Sequence, residues 1–423
     1  MKAVVLAAGE GVRMRPLTTN KPKHMLPIGG KPILHYVLKR IKDVGIRDVV
    51  LIVGYKKEFI KDYFRDGSDL GLRITYVNQG KPMGTADATN VAKDYVKEDF
   101  LSVNGDLYFT KDALYSLLKA HEEKSVATLA VTKVEEPQHY GIVEVKSGRA
   151  TRLVEKPGPK ETSSRLANTG IYVFSKEIFE TITALSESVR GEYEITDAIS
   201  RHIEKGDVVT VGELKGADWF DIGRPWDLLE ANRRAISESK FKVKGTVEEG
   251  ARLIGQVEVG EGARIRSGAY IEGPTVIGDS CDIGPNCYIR SYTSLSRGVR
   301  IGNACEIKGS IVMDHTHIGH LSYVGDSVIG SECNIGAGTL FGNLRFDDQP
   351  VKVQVKDRAV DSGRRKLGSI MGDNAKTGIN ASLMPGVKVG AGSWVGPGVI
   401  LYKDIPDKTV VTQKQFLETR KIA

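Results

Sequence analysis

Over residues 1 to about 235, runs of strand character alternate with runs of helical spacing. KAVVLAA and DVVLIV lack polar alternation, so both read as strands covered on two faces, as in a parallel sheet. Between them, ILHYVLKRIKDV repeats apolar residues three and four apart, the stripe of an amphipathic helix. RITYV, FLSVN, ATLAVTKV and GIYVF read as further strands, and KDALYSLLKAH, EITDAISRHIEK and WDLLEANRRAI as further helices. This alternation predicts an α/β sheet with helices on both faces. Ligands are expected at the carboxyl ends of its strands, where the strand order reverses.

From about residue 247 the period becomes six. Val247, Leu253, Val259, Ile265, Ile271, Ile277, Ile283, Ile289, Leu295, Ile301, Ile307 and Met313 form an unbroken ladder. Mostly small residues precede each rung by two positions. The ladder slips by one at Ile318 and Val324, slips again at Ile329 and Ile335, and resumes at Met371, Thr377, Leu383, Val389, Val395 and Leu401. A repeat this short cannot bury its apolar side alone, so it predicts stacked coils, here a parallel β-helix. The expected divisions are a first domain over 1–235, a linker over 236–246, a β-helix over 247–410 and a tail over 411–423 that adds a strand or a short helix.

Composition adds little to this. The 47 glycines concentrate in the second half, as repeated tight turns require. The formal charge of +7 is spread along the chain, with no basic cluster interleaved with aromatics. Small anionic ligands are therefore expected, and neither nucleic acid nor a membrane. No apolar run approaches a membrane-spanning length, and the first residues enter a glycine-rich loop unlike a cleaved leader, so a cytoplasmic location is expected. Cys281, Cys287, Cys305 and Cys333 stand two before a rung and read as small inward hydrophobes.

LAAGEGVRMRPLTTNKPKHMLPIGGKPIL, residues 6–34, carries the densest chemistry of the first domain. A glycine-rich turn after a buried strand lets backbone N–H groups approach phosphate oxygens, and Arg13, Arg15, Lys21 and Lys23 follow. The stretch resembles the signature of the sugar-1-phosphate nucleotidyltransferases, and other motifs recur in family order. The resemblance implies that Leu6, Ala8 and Gly9 lie beside the nucleotide. Arg13 and Lys23 would be catalytic, stabilising the triphosphate and the charge developing at the α-phosphorus. NQGKPMGTADA supplies Gln79, Gly84 and Thr85 for the nucleotide base. Gly141 of YGIVE, Glu155 and Lys156 of EKP, and Asn168 and Thr169 of NTG would contact the sugar phosphate. Asp106 of NGD and Asp221 of WFDIGRPWDLLEAN would hold Mg2+. A plainer reading exists for some of these: Asp106 as a turn cap, Arg15 as a surface ion pair, Asn168 as a turn residue.

HTHIGHLSYVGDSVIGSECNIGAGT, residues 315–339, interrupts the ladder. It resembles the acetyltransferase site of bacterial bifunctional enzymes that acetylate glucosamine 1-phosphate and then uridylylate the product. That match implies His320 as the general base, with Arg290, Lys308, Tyr323 and Asn334 contacting substrate and Ala337 facing the coenzyme. FGNLRFDDQPVKVQVKDRAVDSGRRKLG is longer than its bacterial counterpart and reads as an inserted hairpin. Its Arg364, Arg365 and Lys366 either grip coenzyme phosphates or form a solvated face.

Taken together, the chain resembles the archaeal-type bifunctional sugar-1-phosphate nucleotidyltransferase/amino-sugar acetyltransferases. Their fold would be a Rossmann-like mixed-sheet α/β nucleotidyltransferase followed by an all-β left-handed parallel β-helix of hexapeptide repeats. The implied substrates are UTP or dTTP, sugar 1-phosphates and acetyl-CoA, and the implied assembly is a homotrimer through the β-helix. Two other readings stand beside this one: a single-activity nucleotidyltransferase with a non-catalytic β-helix, and a regulatory subunit that has lost catalysis. His320 could also be an inert turn residue, or could join His315 and His317 around a metal.

Overall fold

A computed structural model of the chain describes residues 1–188, 191–239 and 241–422. By contact the chain divides into two compact units. One comprises Met1–Glu10, Lys21–Met25 and Pro32–Ile222, and the other Gly11–Asn20, Leu26–Lys31 and everything from Gly223.

The first unit is built on a nine-stranded mixed sheet. Its order is Arg73–Asn78, Asp48–Val53, Lys2–Ala7, Phe100–Asn104, Leu166–Phe174, Ala127–Lys133, Val209–Leu214, Arg149–Glu155 and Gly141–Lys146. The first four strands are mutually parallel, and Leu166–Phe174 runs antiparallel to its neighbours. Leu51, Val53, Leu101 and Val103 are buried on one side of the central strands, and Val4, Ile52 and Phe100 on the other. The unalternated apolar runs follow from this two-sided burial. The chain leaves Lys2–Ala7 toward one edge and Phe100–Asn104 toward the other, so the order reverses between these two strands. A separate two-stranded ribbon pairs Leu107–Phe109 with Trp219–Asp221 antiparallel, setting Asp221 opposite Leu107.

The second unit is a left-handed parallel β-helix whose three faces are sheets of eight, nine and eight strands. Its inner column runs from Val259 to Leu401 through one aliphatic rung after another. Each coil hydrogen-bonds to the next along its backbone, as when Arg264 N–H donates to Cys281 C=O at 2.8 Å. Where turns stack, side chains do not fit: a Cβ on Gly302 would collide with the Gly319 carbonyl oxygen.

Two features differ from the sequence expectation. Coiling begins with Lys242–Val243 and Thr246–Val247, inside and at the edge of the stretch expected to be linker. Both strands are exposed, and Val243 stands four residues before the rung Val247, off the six-residue step. The first slip lies between Ile307 and Val312 and not after Met313. Val312 points into the inner column while Met313, equally buried, does not. The second slip lies between Val324 and Ile329. Between Phe341 and Ile370 the chain leaves the coil and forms the expected hairpin, Lys352–Val355 with Arg358–Asp361. The next coil then resumes with Val328 paired to Ile370. Of the tail, Val410–Val411 adds a strand beside Trp394–Val395, and no helix follows among the described residues.

Within the second unit, the helix Asp227–Ser237 is tied to its neighbours by a buried amide. Asn232 Oδ1 accepts from Gly29 N–H at 2.8 Å and its Nδ2 donates to Tyr292 C=O at 3.1 Å. The Arg233 guanidinium lies 4.3 Å from the centre of the Tyr292 ring. No helix of the described residues is long and apolar enough to cross a membrane.

All four cysteines are buried free thiols in the inner column. Burial pushes the Cys281 and Cys287 thiols up to about 12, which suppresses the reactive thiolate. Labelling with a thiol reagent at pH 8 should therefore modify none of the four until denaturant unfolds the β-helix. Rapid labelling of the native protein would contradict the inward placement.

Candidate functional site

At the reversal of strand order, Leu6 pairs with Asn104, and Gly105 N–H donates to Leu6 C=O at 2.8 Å. Ala8–Gly9 and Asp106 therefore leave adjacent strand ends, where an open α/β sheet binds ligands. Ala8 is buried and its carbonyl accepts from Tyr55 N–H at 3.0 Å. Nothing lies within 4 Å of where a Cβ on Gly9 would stand, so the backbone there faces open space. Gly105 is the opposite case, since a Cβ would lie 2.8 Å from the Leu6 carbonyl and 3.2 Å from the His24 ring.

Lys23 is buried, and its Nζ stands 2.6 Å from Asp106 Oδ2. Such a pair must offset the desolvation of both charges, and it keeps a lysine in the site before any phosphate arrives. His24 beside it is also buried, and burial lowers its pKa to about 4, with Asp106 opposing and Lys23 adding to the effect. The ring is therefore neutral near pH 7, and its Nδ1 has no hydrogen-bond partner. Arg13 lies exposed on the single 3-10 turn Val12–Met14, which Gly11 enters with φ 70°.

Asp106 precedes the ribbon strand Leu107–Phe109, and Asp221 ends the opposite strand facing Leu107, so the two carboxylates occupy neighbouring positions. No group of three or more His, Cys, Asp or Glu able to hold a metal occurs among the described residues. Two carboxylates with phosphate oxygens and waters suit Mg2+, whereas a closed zinc site needs more protein ligands.

Gln79 donates its amide nitrogen to Asp87 Oδ2 at 2.8 Å and to Gly84 C=O at 3.2 Å. Its carbonyl oxygen is the end left for a ligand. Gly84 has φ 119°, and a Cβ there would strike the Tyr193 backbone. Thr85 accepts from Ile195 N–H at 3.0 Å, capping the helix Ile195–Lys205. Gly84 and Thr85 thus have structural duties that the motif did not disclose.

At the expected sugar end, Gly141 pairs with Glu155 across two strands. A Cβ on Gly141 would lie 2.7 Å from Glu155 Oε2 and 3.8 Å from Asn168 Cβ. These three residues are therefore neighbours. Lys156 stands at φ 49° with its Nζ 3.8 Å from Glu155 Oε1. Asn168 donates to the Tyr172 hydroxyl at 2.7 Å. Thr169 turns inward: its side chain is buried and donates to Ala130 C=O at 2.8 Å. A residue that the motifs did not single out, Trp219, joins this end to the ribbon that carries Asp221. Its Nε1 donates to Thr169 C=O at 3.0 Å, its ring meets Tyr140 edge-on at 5.9 Å, and it shares a strand with Asp221.

In the β-helix the two slips and the hairpin fall on one corner of successive coils. Arg290 follows the rung Ile289, Lys308 follows Ile307, Asp326 comes two after Val324, and Asn343 two after Phe341. Stacking brings these positions together. Lys308 Nζ donates to Asp326 Oδ2 at 2.8 Å, and Asn343 Nδ2 donates to the same oxygen at 2.6 Å and to the Tyr323 hydroxyl at 3.1 Å. Arg290 pairs with Glu306 at 3.0 Å. Burial, and Asp326 after it, raise the Tyr323 pKa, keeping the phenol protonated. Asp326 and Asn343 are members of this cluster that the sequence motifs did not single out.

His320 stands exposed in the turn between His317–Ile318 and Tyr323–Gly325, at another corner. The rungs on either side, Ile318 and Val324, keep the six-residue step, so the interruption does not fall at His320 itself. Its carbonyl accepts from Gly338 N–H at 3.1 Å, which sets Ala337 on the next coil. Asn334 lies on a different face, between His317 and Lys376. His315, His317 and His320 form no metal-binding group. In the hairpin, Arg365 pairs with Asp348 at 2.7 Å.

The nucleotidyl transferase profile matches residues 2–238. The GMPPB C-terminal domain matches 271–358 and a hexapeptide repeat of succinyl-transferase 369–403. The bifunctional protein GlmU of Methanocaldococcus jannaschii is 46% identical over all of this chain and all of its own. A bifunctional sugar-1-phosphate nucleotidylyltransferase/acetyltransferase of Sulfurisphaera tokodaii is 40% identical over 96% of this chain and 98% of its own. A structure assigned as a glucose-1-phosphate thymidylyltransferase of Bacillus anthracis superposes with TM-score 0.51 at 30% identity. It covers 57% of this chain and 97% of its own.

The buried His24 gives a pH test. Its pKa falls from 6.5 to about 4 on folding. The unfolded chain therefore takes up this proton first, and stability is lost as pH falls from 6.5 toward 4, by about 3 kcal/mol in all. His24→Gln should remove this component, so its unfolding free energy should fall less steeply than that of the unmodified protein across that window. Equal slopes in denaturant titrations would show that His24 is not buried in neutral form.

Proposed function

The chain belongs to the nucleotidyl transferase family and, within it, to the bifunctional sugar-1-phosphate nucleotidylyltransferase/acetyltransferases. We propose that it first acetylates an amino-sugar 1-phosphate from acetyl-CoA and then joins the product to a uridylyl or thymidylyl group. In each half of the chain a lysine that matches its site is paired with an aspartate, as Lys23–Asp106 and Lys308–Asp326. That observation carries the two-site reading.

In the β-helix, the amine of glucosamine or galactosamine 1-phosphate attacks the thioester carbonyl of acetyl-CoA. His320 takes the amine proton, and coenzyme A leaves as the free thiol. Histidine suits this role because its ordinary pKa lies near working pH. Arg290, Lys308 and Tyr323 hold the phosphorylated acceptor. Asn334 is assigned to the substrates and Ala337 to the coenzyme. In the first domain, a phosphate oxygen of the N-acetylated sugar 1-phosphate attacks the α-phosphorus of UTP or dTTP in line, and pyrophosphate leaves. The nucleophile is already ionised, so the residues act by placement and charge rather than as a base.

Gly9 opens the backbone to the triphosphate, with Leu6 and Ala8 beside it. Arg13 and Lys23 neutralise its charge, and the Gln79 carbonyl receives the N3–H that uracil and thymine share. Gly84 and Thr85 shape the base loop. Gly141, Glu155, Lys156 and Asn168 line the sugar, and the Thr169 backbone supports them. Asp106 and Asp221 would hold Mg2+, which supplies charge neutralisation between the phosphates. Exposed apolar residues on the β-helix, among them Leu340, Ile379 and Ile400, support assembly through that domain, as a homotrimer. The substrates and coenzyme are those of the cytoplasm.

His320→Ala should lower thiol release from acetyl-CoA and glucosamine 1-phosphate by about a hundredfold or more. Pyrophosphate release from UTP and N-acetylglucosamine 1-phosphate should change little. Full thiol release by the variant would remove His320 as the base. No thiol release by the unmodified protein, with either amino sugar, would leave the β-helix as a scaffold. Separately, Lys23→Ala should abolish most pyrophosphate release and spare acetylation.

A further inference from the structure

The carboxylate at position 326 has no assigned part in either reaction, yet its setting is the most constrained in the β-helix. Asp326 is buried, at 9% exposure, and adopts φ 47°, a left-handed conformation uncommon outside glycine and asparagine. Its backbone is pinned on both sides: its N–H donates to Lys308 C=O and its C=O accepts from Gly368 N–H, each at 2.8 Å. Gly368 is where the inserted hairpin rejoins the coil, and a Cβ there would collide with the Gly325 carbonyl and the Ser327 hydroxyl. On the other side, a Cβ on Gly309 would lie 3.0 Å from Asp326 Oδ1. The carboxylate therefore has a single place to be.

From that place one oxygen receives two donors, Lys308 Nζ at 2.8 Å and Asn343 Nδ2 at 2.6 Å. The second hydrogen of the Asn343 amide goes to the Tyr323 oxygen at 3.1 Å. A phenol whose oxygen already accepts is left with its own hydrogen to give, so the chain of bonds aims the Tyr323 O–H outward as a donor. Glycine at 325 completes the arrangement, because a Cβ there would occupy the space of the Tyr323 hydroxyl and the Asn343 amide. The charged groups around Asp326 are Lys308 and, further along the face, the Arg290–Glu306 pair.

A buried negative charge is a poor neighbour for a sugar phosphate, and attraction cannot be its purpose. We propose that Asp326 is a positioning residue of the acetyl-transfer site, fixing Lys308 directly and Tyr323 through Asn343 so that both meet the acceptor phosphate in one geometry. This rests on the reading that Lys308 and Tyr323 contact the amino-sugar 1-phosphate. Both coil slips lie at this corner, the first following Lys308 and the second spanning Asp326. The same role gives the neck of the hairpin a purpose. Leu367 N–H donates to Asn343 C=O at 2.9 Å, clamping the amide that relays the effect.

Asn tolerates the backbone of position 326, so Asp326→Asn should still fold, at a somewhat lower Tm for the unpaired Lys308, with pyrophosphate release unchanged. It loses the charge-assisted bonds, so KM for glucosamine 1-phosphate should rise on the order of tenfold while KM for acetyl-CoA stays the same. In a double-mutant cycle, adding Asp326→Asn to Asn343→Ala should raise that KM by much less than in the unmodified background. Equal KM values, or full additivity, would overturn the positioning role. A crystal structure of Asp326→Asn gives a readout independent of activity: Lys308 and Asn343 should leave their places while the coil backbone stays. If they do not move, the proposal fails even if acetylation itself proves absent. If the unmodified protein releases no thiol but the side chains do shift, the acetylation reading fails and the positioning of Lys308 and Asn343 by Asp326 stands.

Discussion

The stacking of one coil on the next governs everything in the second half of the chain. Each coil satisfies its backbone groups with its neighbours and buries its aliphatic rungs only against theirs. A one-residue slip within a strand would turn every later side chain inside out, so a change in coil length has to be absorbed at a corner. The chain shortens one corner twice and then departs from it altogether in the hairpin, and the rungs still align from Ile307 through Val312, Val324, Ile329 and Phe341 to Met371. The irregularity is confined to a single edge of the prism, and that edge carries Lys308, Asp326 and Asn343. Regular stacking is what lets three residues far apart in sequence become one hydrogen-bonded group.

The first domain depends on a related economy of space. Where Lys2–Ala7 and Phe100–Asn104 end side by side, Gly105 is compressed between the Leu6 carbonyl and the His24 ring, while Gly9 faces open space. The same residue type serves two purposes within one crevice: one glycine permits close packing, and the other leaves room for a ligand. Asp106 follows the compressed glycine directly, so its carboxylate is aimed by packing and not by its own side-chain freedom. Trp219 extends this rigidity by bonding Thr169 and meeting Tyr140 edge-on from the strand that carries Asp221.

Much of this was legible in the sequence because the governing interactions are local or strictly periodic. The unalternated strands betray two-sided burial, and the six-residue ladder betrays the coils. The slip was misplaced because Ile311, Val312 and Met313 are all apolar and all fully buried, so composition alone cannot say which points inward. The start of the first coil was missed because Val243 stands four residues before Val247, off the six-residue step of the ladder. Among site residues, motif likeness located Gly84, Thr85 and Thr169 without revealing what they do. Gly84 avoids the Tyr193 backbone, Thr85 caps a helix, and Thr169 bonds inward. Asp326 and Asn343 escaped notice because their partners lie about a coil away, and only stacking brings them within reach.

Both halves arrive at the same electrostatic arrangement by different folds. A lysine sheltered from water is unstable alone, because desolvation disfavours its charge. Pairing it with a carboxylate offsets that cost and holds the side chain in one place. The two pairs then differ in a way their surroundings explain. Asp106 has a second carboxylate, Asp221, in neighbouring register, and on the proposed reading the two would hold a divalent cation together, leaving Lys23 to face phosphate. Asp326 is more deeply buried, and its second donor, Asn343, holds it in place. On the same reading Lys308 would meet its ligand while still bound to Asp326, as a directed hydrogen-bond donor. The first pair would then be exchanged and the second kept, as suits one site where phosphate is the reacting group and another where it serves only as a handle.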